Sequence, residues 1–325
     1  MLVEHKRGAI DTYIVKADCT DDEIKARAGT FLRAADVKLV VKKDADVFTD
    51  TGKLLLRFRK GVLPADHINK AYEALIEFAK RSVSSRGIAS GGEKNKRMFA
   101  NNPKVMSNVI GYMGKFTIKE KQMFRELGIK KPPYKIRVSA FTRNYAAKWR
   151  HVAPLIRDID AQYKRLVPDC YRKQRAAALQ TAYHITGTAF STVTTNVNFQ
   201  TALHRDKGDY DEGFGNLVVI ERGAPYEGGY TCMPQYGVGV DVREGDFLAM
   251  DVHQWHSNTP IVPTKSPHEG AGAGASVRLS LVNYLRQDVW ERSKGSTKQE
   301  VKDNIAYLNK MYDAYFASKK AASSP

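Results

Sequence analysis

From Ala189 onward the chain reads as a succession of short extended segments: FSTVTTNVNFQ, GNLVVIE, GGYTCMP, VGVDV, DFLAMDV and SVRLSLVNY. Gly, Pro and Asp lie between them. Runs rich in β-branched and aromatic residues, closed by turn formers, are strands. They follow one another without helical periodicity between, so βαβ units are excluded and a sandwich or barrel is required. Residues 263–275, PTKSPHEGAGAGA, make a flexible loop before the last strand.

The earlier part of the chain is mixed. Val37–Val41 and Leu54–Phe58 are expected strands around the turn-like FTDTGK. Asp66 to about Ser82 is an expected helix, with Ile68, Tyr72, Leu75, Ile76 and Ala79 at helical spacing. Arg86 to Asn102 is rich in Gly, Ser, Asn and Lys and reads as a long basic loop. Lys135–Thr142 reads as a strand, Asn144 to about Leu179 as a helix broken near Pro168, and the tail from Val289 as a charged helix. The class is therefore α+β. Four regions are expected: an N-terminal strand and helix extension (1–80), a basic loop and helix segment (81–150), a β core with its supporting helix (151–290) and a C-terminal helix (291–325).

Charge divides the chain in the same way. Of a formal net charge of +17, residues 80–150 carry +15, from 18 Lys+Arg against 3 acids. Residues 191–286 carry −4. The basic segment also holds Phe99, Tyr112, Phe116, Phe124, Tyr134, Phe141, Tyr145 and Trp149. Such a segment suits a polyanion, with Arg86, Lys94, Lys96 and Arg97 as expected contacts to a nucleic-acid backbone. Mean hydropathy is −0.45 and no apolar run reaches the roughly 18 residues of a membrane span. Cys19, Cys170 and Cys232 are scattered, which argues against a disulfide framework or zinc ribbon. A cytoplasmic monomer is expected, in a bacterial or phage-infected cell, with the nucleus as the eukaryotic counterpart.

His204-Arg205-Asp206 sets an imidazole and a carboxylate two residues apart. In extended chain both project to one side and can reach one metal ion. A lone His-x-Asp means little, but a second His stands some 50 residues later and an Arg beyond it. Two His and a carboxylate on a β scaffold form the facial donor set of non-haem Fe(II). His253 and His256 both qualify as the second His; His256, which opens His-Ser-Asn-Thr-Pro, is preferred, with His253 in a supporting role. Arg278 and Ser280 share a strand face. A buried Arg there needs an anion, and a bidentate carboxylate satisfies it.

His-x-Asp, a distal His followed four residues later by Pro, and Arg-x-Ser together resemble the 2-oxoglutarate/Fe(II)-dependent dioxygenases. RLSLVNYLR at 278–286 is similar to the last core strand of the TET/JBP branch, which oxidises 5-methylpyrimidines in DNA. FSTVTTNVNFQTALHRD, GFGNLVV, GGYTCMPQYGVGVDV and DVHQWHSNTP look most like phage and viral members of that branch. The resemblance implies a double-stranded β-helix (jelly-roll) core, with His204, Asp206 and His256 holding Fe(II). Arg278, helped by Ser280, would hold 2-oxoglutarate. With O2, these would convert the methyl group of a flipped base in double-stranded DNA to hydroxymethyl, 5-methylcytosine being preferred and thymine allowed. Tyr284 stands where TET enzymes stack an aromatic on the base. Arg286 replaces the His that the animal enzymes carry two residues later, leaving the choice between cytosine and thymine open. Asn196 and Asn198 can line the pocket or serve the strand. Arg137 and Arg143 can assist 2-oxoglutarate, grip phosphate or be surface charge.

Two other readings compete. One is the same superfamily acting on an alkylated base or on prolyl or lysyl side chains, against which the +15 segment argues in the protein case. The other is a non-catalytic β-sandwich that binds nucleic acid.

Overall fold

The computed structural model describes residues 1–80, 87–91, 106–264 and 275–322. Among these, ten strands form one mixed sheet. Its order is Leu2–Lys6, Asp11–Val15, Ala45–Thr49, Leu54–Arg59, Phe247–Met250, Gly215–Arg222, Val277–Tyr284, Thr192–Val197, Met106–Met113 and Arg137–Val138. A four-stranded sheet runs Ser257–Asn258, Thr231–Met233, Val238–Val240 and Leu39–Val41. Tyr226–Gly228 and Ile261–Pro263 make a separate antiparallel pair.

Alternation along the central strands sends side chains to two faces. On one face, Val193, Val218, Ile220, Phe247, Leu279 and Leu281 pack against a helical layer. That layer is Ala65–Ala79, which buries Ile68, Ala71, Leu75 and Ala79, and Ala146–Leu166, which buries Val152, Leu155, Ile156, Ile159 and Tyr163. Both are one-sided apolar stripes, so the sheet is what they bury against. On the opposite face, Leu217, Val219, Leu248 and Met250 meet Met233, Val238 and Val240 of the smaller sheet. Each fully buried Leu or Val contributes on the order of 1.5–3 kcal/mol. Two layers of core thus fix the large sheet from both sides, and the space between the sheets is left for a site.

Several expectations need revising. FTDTGK is a hairpin turn, but it joins Ala45–Thr49 to Leu54–Arg59, which pair antiparallel. Leu39–Val41 crosses to the smaller sheet and runs parallel to Val238–Val240. Lys135–Thr142 is strand only at Arg137–Val138; Ser139 then caps the short helix Ala140–Asn144 by accepting from the Thr142 amide. The break at Pro168 is real: Pro168 starts the next helix, Pro168–Ala178, where its missing N–H is harmless. The tail is two helices, Gln287–Ser293 and Lys298–Ala322, with Gly295 between them at φ +76°.

The basic segment differs most. Met106–Met113 is a strand of the large sheet, paired with Thr192–Val197. Gly111 has φ +93°, and a Cβ there would lie 2.3 Å from the Ser191 carbonyl oxygen, so only glycine fits. Most of the described aromatics of this segment are packing residues. Phe124 and Phe141 are buried, Phe116 meets Phe124 edge-on, Tyr112 meets Tyr183, and Tyr134 meets Tyr307. Arg86, Lys94, Lys96, Arg97 and Phe99, and most of the 263–275 loop, lie outside the described residues.

Candidate active site

His204 and His256 face each other across an antiparallel bridge, each backbone N–H donating to the other's carbonyl at 3.0 and 2.9 Å. Asp206 is tied down by its own amide, which donates to Val252 at 3.1 Å. These backbone bonds bring three side chains together, with one donor atom of each within 4.8 Å of the others. His204 Nε2 is 3.7 Å and His256 Nε2 3.5 Å from the Asp206 carboxylate. The imidazole centroids are 4.3 Å apart.

The opposite ring nitrogens define the tautomers. His204 Nδ1 lies 2.7 Å from the Ala202 carbonyl and His256 Nδ1 2.9 Å from that of Gln254. A carbonyl only accepts, so each Nδ1 carries a proton and each Nε2, on the Asp206 side, is the atom left for a metal ion. Burial opposes a charge on His256, but the Asp206 carboxylate overrides this and holds the imidazole above its ordinary value. Two imidazole nitrogens and one carboxylate, with Nδ1 already engaged, fit a non-haem Fe(II) ion.

The triad opens into a cavity of about 530 Å³ between the two sheets. That is ample for a small ligand with a few fixed polar groups. Arg278, Ser280, Val282 and Tyr284 line it from alternate positions of one strand, and Arg286 follows in the same parity. Arg278 is 5% exposed, and its Nε is buried without a hydrogen-bond partner. Among the described residues no ion pair joins it to a carboxylate: Glu221 is bridged by Arg243 and Glu244 by Arg222. A buried cation facing a cavity without its own anion fits a carboxylate ligand. Ser280 accepts a 3.5 Å contact from Asn196 Nδ2, while Asn196 Oδ1 is left as a buried acceptor without a partner.

Tyr284 is buried, with its hydroxyl 3.0 Å from Thr194 Oγ1. Arg286 bonds Asp288 through Nε at 3.0 Å and is bridged by backbone to Asp209. Burial works against its charge, but Tyr284, Asp288 and Asp209 more than offset this, so it stays protonated. Asp209 and Thr194 also line the cavity and were missed by sequence reasoning. Thr194 was findable, because it shares parity with Asn196 on one strand. Asp209 carried no signal beyond being three residues after Asp206.

Four candidates do not reach the cavity. Asn198 lies past the strand end at φ +47°, where its side chain accepts from the Arg278 amide and donates to Ser276, both at 2.7 Å. It holds the last strand and not a ligand. His253 Nε2 lies 3.2 Å from the Tyr210 carbonyl, away from the triad. Arg137 pairs with Glu120 at 2.6 Å, and Arg143 stacks on Tyr312 at 4.3 Å while bonding Asn309. Arg143 anchors the C-terminal helix, whereas Arg137 is linked to it only through Glu120, which also accepts from Tyr312.

Comparison with known proteins gives the family. The Tet_JBP family, described as the oxygenase domain of the 2OGFeDO superfamily, matches residues 125–287. The chain belongs to the Tet_JBP family. It is thus an oxygenase of the 2-oxoglutarate/Fe(II) superfamily, and the paired sheets are its double-stranded β-helix core. Among Tet_JBP relatives, Thymine dioxygenase JBP1 of Trypanosoma brucei brucei is 37% identical over 159 residues, 49% of this chain and 18% of its own length. Bifunctional helicase and thymine dioxygenase JBP2 of Leishmania braziliensis is 33% identical over 271 residues, 82% of this chain and 21% of its own. The chain therefore spans about a fifth of the curated relatives it matches. A solved structure, NgTET1 in complex with 5mC DNA, aligns with a TM-score of 0.49 at 12% identity, covering 88% of this chain and 99% of that one.

Proposed function

We propose that this oxygenase hydroxylates the methyl group of a 5-methylpyrimidine in DNA. The observation that carries the reading is a triad and an unpaired buried cation in one cavity: His204, Asp206 and His256 beside Arg278. In this reading the triad holds Fe(II), and Arg278, with Ser280, holds the distal carboxylate of 2-oxoglutarate. Bound iron with 2-oxoglutarate and O2 supplies an oxidant strong enough for an unactivated C–H bond, with succinate and CO2 as co-products.

The chain's own residues orient and exclude. Nδ1 of each His stays on its carbonyl, so the rings cannot turn away from the metal. Tyr284 offers an aromatic wall fixed by Thr194, suited to stacking on a base. Val252, Met250 and Leu217 make the cavity wall apolar, which keeps water from the reacting methyl. A cavity between two sheets cannot be reached by a base inside a duplex, so the target must flip.

The two substrates differ at ring position 4. Arg286 only donates and suits the carbonyl of thymine, whereas Asp209 accepts and suits the amino group of 5-methylcytosine. The sequence-based preference for 5-methylcytosine rests on resemblance to TET enzymes, whereas the relatives' names speak for thymine. Duplexes carrying one or the other, incubated with Fe(II), 2-oxoglutarate and ascorbate and digested to nucleosides, decide the matter by mass spectrometry. Hydroxymethyluracil or hydroxymethylcytosine is expected. Turnover of 2-oxoglutarate with neither product, on either duplex, overturns the DNA reading and favours another substrate of the superfamily.

A further inference from the structure

We infer that Arg205 and Lys207 grip the phosphates that flank the flipped nucleotide, at the rim of the cavity. The inference rests on the DNA reading made above and adds to it the residues that hold the backbone.

Among the described residues, four Arg and Lys side chains line the cavity: Arg205, Lys207, Arg278 and Arg286. Arg278 is taken by the cosubstrate in the reading above, and Arg286 is engaged by Asp288 at 3.0 Å. Arg205 and Lys207 have no such task. Lys207 is exposed, and among the described residues its ammonium enters no ion pair or hydrogen bond. The ion pair of Arg205 is with Asp21, at 3.6 Å, and that carboxylate is 77% exposed. So loose a pair in water contributes little and gives way to a stronger anion. The Arg205 guanidinium lies over the Trp255 ring, 4.8 Å from its centroid, and Trp255 is buried with Ile24 and Leu203. This cation therefore has a fixed seat before any ligand arrives.

Their place along the chain puts them at the mouth. Side-chain exposure rises from 10% at His256 and 13% at His204 to 33% at Asp206, and Lys207 beyond is exposed. Residues 204–207 thus climb from the metal-binding floor to solvent. The next residue shows which end of the cavity they reach. The Gln287 amide donates to the Gly208 carbonyl at 3.0 Å, and a Cβ at Gly208 would lie 3.4 Å from Arg286 Nη2. Lys207 therefore stands at the Arg286 end, whereas Arg278 lies at the other end of the Val277–Tyr284 strand.

A nucleotide fits this order. A pyrimidine whose 5-methyl group is turned to the metal keeps its sugar, and the two flanking phosphates, a ring's width further out. Each of those phosphates carries one negative charge and stays at the rim when the base enters. An ammonium with three rotatable donors and a planar guanidinium suit them. Such contacts set position and carry no sequence preference, so they leave the choice between thymine and 5-methylcytosine to the cavity.

The test uses the full chain with Mn(II) and 2-oxoglutarate, which avoids turnover. Its probes are two duplexes of G·C pairs, one with a single central T·A pair and one with a single central 5-methylcytosine, so that each holds one methylpyrimidine. Fluorescence anisotropy reads Kd between 50 and 200 mM salt. Lys207→Gln and Arg205→Gln should each raise Kd about threefold to tenfold and lower the slope of log K against log salt by about 0.9. Lys164→Gln makes the same charge change on the exposed side of the helix behind the sheet, and should leave Kd within about twofold. Neutral methylphosphonates at the two linkages flanking the methylpyrimidine should weaken wild type but leave the Arg205→Gln/Lys207→Gln double variant unmoved. Mn(II) and 2-oxoglutarate affinities should stay at wild-type values in every variant. If the methylphosphonates weaken the double variant as much as wild type, or Lys164→Gln loses as much as Lys207→Gln, the inference is overturned and the DNA reading survives. If either rim variant loses Mn(II) affinity, its role is structural and the inference fails. If wild type binds neither duplex, the DNA reading itself fails.

Discussion

Replacing Arg278 with Met should make the protein more stable and useless to 2-oxoglutarate at once. In wild type the guanidinium is 5% exposed, has a buried Nε without a partner, and is joined to no carboxylate by an ion pair among the described residues. Burial works against its charge, and only Tyr226 and Glu221 favour it. Exchanging a buried charge for an apolar side chain of similar length gains about 1–4 kcal/mol where no strong pair is lost. The net gain is thus about 1–4 kcal/mol. For a chain of this size that is a rise in Tm of about 2–6 °C. Saturating 2-oxoglutarate reverses the order: at a thousandfold excess over Kd wild type gains about 4.1 kcal/mol and the variant nothing. Differential scanning of both proteins with Mn(II), with and without 2-oxoglutarate, reads the crossover. A variant that melts several degrees lower than wild type without 2-oxoglutarate would show Arg278 to be half of a structural ion pair, and the reasoning would be refuted.

The two candidate histidines should separate cleanly. His256→Ala should abolish metal binding and turnover, whereas His253→Ala, which loses only a contact to Tyr210, should keep both and cost about 1 kcal/mol by chemical denaturation. Glu120→Gln should cost about 2–4 kcal/mol, because it removes the charge paired with Arg137 and turns one of the two oxygens that accept from Arg137, Thr117 and Tyr312 into a donor, yet leave 2-oxoglutarate affinity unchanged. Burial alone would raise the Glu120 carboxyl, but Arg137 and Thr117 hold it below the usual range. A depressed folded value stabilises above the unfolded pKa of about 4.3 and is lost as pH falls through the folded value. The acid limb of the stability curve should therefore be shallower in Glu120→Gln, as urea melts between pH 7 and 3 will show. Raising salt from 50 to 200 mM should weaken DNA binding by orders of magnitude in a filter-binding assay but change 2-oxoglutarate Kd far less, because Arg278 is buried and poorly screened.

The β core and the triad were legible because both depend on a period of two. Leu279 and Leu281 against Arg278 and Ser280, or Val193 against Thr194, announce their faces in the bare sequence. His204 and Asp206 share a side for the same reason. What was hidden involved pairing across long distances or local departures from that period. Ala45–Thr49 sits in a charged stretch, and only its partner Leu54–Arg59 makes it a strand. Met106–Met113 is buried in a pattern that does not alternate, bent at Gly111 and surrounded by lysines that mask a core strand. Most of the described aromatics interleaved with those lysines face inward, Tyr145 being exposed, so a pattern that reads as a nucleic-acid surface is in large part the packing side of helices and turns. Asn198 shares the parity of Asn196 but leaves the strand at a left-handed residue, so parity failed at the strand end.

The central claim is that oxidation of 2-oxoglutarate at His204, Asp206 and His256 is coupled to oxidation of a methyl group on DNA. The molar ratio of succinate to hydroxymethylated base tests this most directly, measured in one reaction with Fe(II), limiting 2-oxoglutarate and excess methylpyrimidine duplex. A ratio near one, with both products absent in Asp206→Ala, is the predicted result. Succinate released in equal amounts with and without DNA, and no modified base, would contradict it.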